Sequence, residues 1–113
     1  MSFGYKEHHL LFGNGRRENI GFTINAGQSV TLYFQDNGTD SDNAKYFNLG
    51  SAAKKVSITN NKIAVITHIQ NEELKTPRTL GTATANTFSS GIEWGSIVVA
   101  ADQDSTVFEV YAD

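Results

Sequence analysis

The histidines and glutamates are the side chains of this chain that could support catalysis. The sequence contains three histidines, His8, His9 and His68. Neighbouring residues of a strand point to opposite faces, so His8 and His9 would not act together there. No Gly-x-Ser-x-Gly motif supplies a nucleophile for hydrolysis. Because the six glutamates are scattered and define no carboxylate pair for sugar cleavage, we expect no catalytic residues and no enzyme activity.

The acidic loop near residue 40 contains the side chains best suited to hold a metal ion. Asp36, Asp40 and Asp42 offer the oxygen ligands that calcium prefers. Their spacing differs from that of an EF-hand, and no glutamate closes the loop. These aspartates are therefore candidate calcium ligands, and a solvated hairpin loop is the alternative. The sequence as a whole predicts no metal and no cofactor.

Three aromatic residues are candidates for stacking on sugar rings. Tyr33 and Tyr111 alternate with apolar residues that we assign to the core, and Trp94 lies beside a glycine break. Aromatic rings with one exposed face bind sugars well, but aromatic residues also dominate protein cores. Tyr33, Trp94 and Tyr111 are thus candidate ligand-stacking residues, and packing in a second core layer or at an edge is the alternative.

Composition and charge restrict the classes of partner. The 113 residues carry a net charge of −3, and 19% are charged. Binding to nucleic acid requires a basic surface that this chain lacks. There are no cysteines, no apolar run long enough to span a bilayer, and no signal-peptide pattern at the N-terminus. We therefore expect no nucleic-acid partner, no membrane partner and no secretion signal.

Alternation of apolar and polar residues with period two is the dominant pattern. It predicts a hairpin between residues 20–24 and 30–34, with Gly27 in the connection. It predicts a second hairpin between 55–59 and 63–69, with a primed turn at Asn60 and Asn61.

The rest of the chain adds shorter strands. These are expected at 45–49, at 79–88 near an edge, at 92–101 with a bulge at Gly95, and at 107–111. Residues 71–78, which contain Pro77, are predicted to form a loop. Seven or eight short strands at this spacing indicate an all-β, antiparallel β-sandwich that is jelly-roll-like.

The first fifteen residues differ from the rest. They are predicted to form an N-terminal arm, residues 1–15, ahead of a sandwich domain, residues 16–113. Apolar residues in the arm are poorly patterned and end at Gly13-Asn14-Gly15; they are Phe3, Tyr5, Leu10, Leu11 and Phe12. Such an arm packs either on its own sandwich or on a neighbouring subunit, as in many assembly proteins.

Two segments resemble parts of small β-sandwich proteins of tailed-phage virions. Residues 24–32 (Ile-Asn-Ala-Gly-Gln-Ser-Val-Thr-Leu) are similar to a recurrent phrase in those proteins, and residues 95–101 with 106–111 are similar to their last hairpins. The resemblance covers about a third of the chain and brings no catalytic residues. It implies a virion structural protein, a capsid decoration or auxiliary assembly subunit.

That function would require protein partners. The expected partners are other virion proteins or copies of the chain itself in a homo-oligomer, for example a trimer. The expected location is the virion, after assembly in the host cytoplasm. A carbohydrate-binding module that uses surface aromatic residues is the alternative function.

Overall fold

The computed structural model describes residues 18–35, 40–49, 52–89 and 94–113. Within these ranges the chain forms two stacked sheets and no helix. The strands are β1 (Glu18–Ile24), β2 (Ser29–Tyr33), β3 (Ala44–Tyr46), β4 (Val56–Asn60), β5 (Ala64–Ile69), β6 (Glu72–Leu80), β7 (Asn86–Phe88), β8 (Ser96–Ala101) and β9 (Thr106–Ala112). The four-stranded sheet has the order β1-β9-β4-β7, and the five-stranded sheet has the order β3-β2-β8-β5-β6. The predicted β-sandwich is confirmed, with more strands than expected.

The strand pairs nest inside one another as in a jelly roll. The β5·β6 hairpin is innermost, and the pairs β4·β7, β2·β8 and β1·β9 follow outwards along the chain, all antiparallel. The register continues across both sheets, because Ile58 pairs with Asn86 and Ala64 pairs with Leu80 at equal distances along each chain segment. This part of the sandwich is therefore a continuous two-stranded ribbon that bends from one sheet to the other. Between β2·β8 and β4·β7 the register is not continuous, since Val30 pairs with Val99 and Val56 pairs with Phe88. The short strand β3 adds a parallel partner to β2.

The core lies between the two sheets and follows the period-two pattern. Every second residue of β2, β4, β8 and β9 is buried. Phe34, Phe47 and Phe108 are the largest fully buried side chains. Each such aromatic side chain contributes about 2–3 kcal/mol through burial of its apolar surface. The alternation thus fixes which face of each strand turns inward.

Both predicted hairpins are wrong. β1 and β2 lie in different sheets, and so do β4 and β5. Residues 25–28 and 61–63 therefore carry the chain from one sheet to the other. Period-two alternation shows that one face of each strand is buried, but it does not show whether the next strand lies beside it or opposite it. Similarly, β8 and β9 do not form the terminal hairpin that the resemblance implied, since they too occupy different sheets.

The predicted loop at 71–78 is also wrong, because these residues belong to β6. Gln70 and Asn71 form the two-residue turn between β5 and β6, with φ angles of 55° and 66°. Positive φ at both central residues is the geometry of a type I′ hairpin turn. Pro77 fits in β6 because this strand is at the edge of its sheet, where a missing N–H costs no ladder bond.

Other boundaries shift by a few residues. The strand expected at 45–49 is Ala44–Tyr46, and the strand expected at 79–88 is reduced to Asn86–Phe88 after the end of β6. The predicted bulge at Gly95 is absent from β8, which begins at Ser96, whereas a register shift interrupts β5 between Ile66 and His68. The predicted arm, and its boundary with the domain at residue 15, lie outside the described residues.

The Gln70–Asn71 turn gives a test of this fold. We expect Asn71→Val to be less stable than Asn71→Gly by about 1–3 kcal/mol, because a β-branched residue resists positive φ and glycine does not. Both variants lose the hydrogen bond from the Ser96 hydroxyl to Asn71 Oδ1, so their difference reports the backbone alone. Urea unfolding measures it. Equal stability of the two variants would contradict the turn geometry.

Candidate functional site

The outer face of the five-stranded sheet is unusually poor in charge. On its central strands β2, β8 and β5, none of the outward positions is Lys, Arg, Asp or Glu. We call this surface the five-strand face and define it by six half-buried residues, Thr31, Tyr33, Val65, His68, Val98 and Ala100. In the part of the chain that the structure describes, the charged residues next to this face are at its flank on the edge strand β6, for example Glu73 and Lys75.

The strand register places these six residues in rows across the sheet. Thr31 lies opposite Val98, and Val98 lies opposite His68. In the next row, Ala100 lies opposite Val65. The shift in β5 turns His68 outward, where its Nδ1 is 2.9 Å from the Thr67 hydroxyl. The result is a surface of small, β-branched and aromatic side chains, as expected of cross-strand neighbours in a sheet.

Tyr111 lies on the opposite side of the molecule, on the outer face of the four-stranded sheet. Its row across that sheet contains Asn19 on β1, Ser57 on β4 and Thr87 on β7. The ring is half-buried and has amide and hydroxyl groups on either side. Since Tyr33 belongs to the five-strand face, the structure does not bring Tyr33 and Tyr111 together.

Trp94, the third stacking candidate, is buried. Its side chain is 3% exposed and packs edge-on against Phe88, with ring centroids 5.7 Å apart. The guanidinium of Arg78 lies 5.0 Å from the centre of the Phe88 ring, an arrangement that favours a cation–π contact. Among the described residues, the indole Nε1 of Trp94 has no hydrogen-bond partner. Trp94 therefore belongs to the core and presents no ring to a ligand.

The acidic loop uses its side chains locally. Asp40 Oδ1 accepts a hydrogen bond from the backbone N–H of Tyr46 at 2.6 Å. Asp42 is exposed and lines an open pocket of about 580 Å³ together with Gln28, Ser29, Ser41 and Asn43. Asp36 lies outside the described residues. In the part of the chain that the structure describes, no three His, Cys, Asp or Glu side chains are grouped to hold a metal ion.

Several expectations fall outside the described ranges. They concern His8, His9 and the five arm residues Phe3, Tyr5, Leu10, Leu11 and Phe12. No helix of membrane-spanning length and hydropathy occurs among the described residues. Comparison with known proteins gave no match among protein-family models, curated proteins or solved structures.

Sequence reasoning did not identify the five-strand face. The signal for it is the absence of charge at alternate positions of 29–33, 64–69 and 96–101, together with the charges of 72–78. That signal becomes a surface only when the three strands are known to be neighbours, and the two incorrect hairpins placed them apart.

Asp40 and Asp42 provide a test of the acidic loop. We expect Asp40→Ala to lower the free energy of unfolding by about 1–2 kcal/mol, because it removes a charged acceptor from the Tyr46 amide. Asp42→Ala is the control and should change it little, since Asp42 is exposed. Thermal unfolding with calcium and with chelator completes the experiment, and we expect the same midpoint in both. A higher midpoint in calcium that both substitutions abolish would instead indicate a calcium site.

Proposed function

We propose that this protein is a virion structural subunit, a capsid decoration or auxiliary assembly protein that acts through protein–protein contacts. The five-strand face is the single observation on which the proposed protein–protein contact is based. The resemblance of residues 24–32 and 95–111 to small phage sandwich proteins supports the virion setting. The partner is another virion protein or a neighbouring copy of the chain.

The composition of the five-strand face favours a protein partner. The cores of protein interfaces are depleted in charged residues and enriched in aromatic ones. Here Tyr33, Val98 and Val65 lie on neighbouring central strands, with polar neighbours of small size. Apolar surface removed from water contributes about 25 cal/mol per Å² before the costs of association. Because the central strands of this face present no charges to desolvate, little of that gain is lost there.

The N-terminal arm, residues 1–15, is a second proposed contact. Its apolar residues precede β1 in the sequence, and we propose that they contact a neighbouring subunit. A subunit with two separate contacts binds a repetitive particle more tightly than either contact alone would allow. This suits a protein that has to occupy many equivalent positions.

Solution mass tests the proposal. We expect light scattering behind size exclusion, over a range of concentrations, to show a closed oligomer of the full chain. Val98→Glu should lower the number of subunits in this oligomer, because it places a carboxylate in the middle of the five-strand face. Ser57→Glu, on the outer face of the other sheet, is the matched control. Deletion of residues 1–12 should also lower the number of subunits, beyond the loss of mass from the deleted residues themselves.

Circular dichroism of each variant shows whether the fold persists. A monomer at all concentrations would contradict self-assembly. An unchanged mass in Val98→Glu would contradict the role of the five-strand face. Unfolding after deletion of residues 1–12 would show that the arm belongs to the core and would remove the second contact.

Carbohydrate binding at Tyr111 is the second candidate function. The observation that favours it is the row Asn19, Tyr111, Ser57 and Thr87, in which one aromatic ring is flanked by groups that can hydrogen-bond to sugar hydroxyls. Trp94 is buried and Tyr33 is on the other side of the molecule, so this site would rely on one ring. Weak binding is expected from such a site.

A glycan screen followed by titration tests the second candidate. We expect Tyr111→Ala to weaken any sugar binding at least tenfold, which corresponds to about 1.4 kcal/mol. Tyr33→Ala, on the opposite face, should leave it unchanged. If Tyr33→Ala and not Tyr111→Ala weakens binding, the site is on the other sheet.

A further inference from the structure

Among the residues that the structure describes, β1 forms one edge of the four-stranded sheet, and β7 forms the other. Val107 of β9 faces β4, because its carbonyl accepts the Asn61 N–H and its N–H donates to Asn61 Oδ1. Hydrogen-bonding direction alternates along an antiparallel strand. Phe108 and Val110 therefore bond to Phe22 and Ile20 of β1.

It follows that three residues of β1 point their backbone groups away from the sheet. They are the exposed residues Asn19, Gly21 and Thr23, which alternate with the bonded residues. No hydrogen bond joins the outward N–H or C=O of these three to any other residue that the structure describes. The edge thus offers a row of three donors and three acceptors, which is the template on which another strand can pair.

The other sheet edges in the described residues are protected from such pairing. β3 and β7 are three residues long. β6 is long, but it carries Pro77 and charges at Glu72, Glu73, Lys75 and Arg78. Short strands, proline and charge are the devices that prevent edge-to-edge association. β1 has seven residues in unbroken register with β9, no proline and no basic residue.

The inner side of the β1 edge is apolar. Ile20 and Phe22 are half-buried and pack against the core from the border of the sheet. The Phe22 ring stacks on Phe108 with centroids 5.0 Å apart. A strand added next to β1 would bury the remaining surface of these two side chains. Free backbone groups and partly exposed apolar groups therefore coincide at one edge.

We propose that β1 pairs antiparallel with β1 of a second copy of this chain, about a two-fold axis at Gly21. The two four-stranded sheets then become one continuous sheet of eight strands. Asn19 lies opposite Thr23 of the partner copy, and Gly21 lies opposite Gly21 of the partner copy. The inference specifies one contact of the assembly and rests on the proposed function only in requiring that the chain self-associates.

A second copy fits this edge because the edge is complementary to itself. A two-fold interface presents the same patch on both subunits. Here the central position has no side chain, and small polar residues, Asn19 and Thr23, face each other on both sides of it. Glu18, the one charged residue of β1, is 4% exposed and accepts a hydrogen bond from the Asn48 N–H. Two copies of β1 therefore meet without exposed charge on the paired strands.

Proline substitution at two edges of the same sheet tests the pairing. Thr23→Pro removes an outward N–H and places a ring on the β1 edge, without loss of a bond to β9. Thr87→Pro is the matched control. The backbone groups of Val56 and Ile58 point towards β7 and bond to its residues 88 and 86. The backbone N–H of Thr87, which lies between these two, therefore points away from the sheet. We expect Thr23→Pro to break this contact and halve the oligomer mass of the full chain, and Thr87→Pro to leave that mass unchanged.

The thermal midpoints of both variants show that each remains folded. A wild-type monomer, a trimer, or a dimer that persists in Thr23→Pro would overturn the proposal. A trimer would overturn the β1 pairing while still supporting the proposed function as an assembly subunit. Dissociation by Val98→Glu but not by Thr23→Pro would support the five-strand face alone, so the two proposals fail separately.

Glu109 tests the position of the two-fold axis. Its carboxylate lies over Gly21, since a Cβ built on Gly21 would be 2.6 Å from Glu109 Oε2. Pairing centred on Gly21 brings the two Glu109 carboxylates to either side of the axis, where like charges repel. We expect Glu109→Gln to lower the dimer dissociation constant severalfold. An unchanged or higher constant would contradict this register.

Discussion

The side-chain amide of Asn60 links the two connections that cross between the sheets, from β4 to β5 and from β6 to β7. Its Nδ2 donates to the carbonyls of Lys62 and Leu80, and its Oδ1 accepts from Asn86 Nδ2. Asn86 donates in addition to the carbonyls of Ile58 and Gly81. Backbone carbonyls that leave a ladder at such a bend need other partners. Two side-chain amides supply them here, and the register of β4·β7 can continue into β5·β6.

This continuity explains both the accurate and the inaccurate parts of the sequence-based fold. Burial alternates along Val30, Leu32 and along Phe108, Val110, so the fold class and most strands were predictable from periodicity. The pairing of the strands was not predictable, because a connection that crosses to the other sheet and a hairpin within one sheet bury the same residues of each strand. The Gln70–Asn71 turn was missed since β6 follows no clear alternation: Leu74 and Leu80 are separated by polar residues and Pro77.

The candidate site could be predicted less well, for a related reason. Tyr33 and Tyr111 were correctly expected to lie opposite the core-facing side of their strands. Only the sheet order reveals that they are on different surfaces of the sandwich. Trp94 next to Gly95 suggested exposure, but its backbone pairs with Ala53 and its ring packs on Phe88. Surfaces are formed by strands distant in sequence, so their composition is readable only after the pairing is known.

Topology also determines which edge is left open. Among the described strands, β1 pairs with β9, and β9 has β4 as its second neighbour, so β1 lies at the border of its sheet. β6 reaches the opposite border of the other sheet and is protected by proline and charge, whereas β1 carries Gly21 and exposed polar residues of small size. Unprotected edges are a liability that soluble proteins manage explicitly. Among the described residues, the other long edge is protected and this one is not, and the proposed pairing of β1 accounts for that difference.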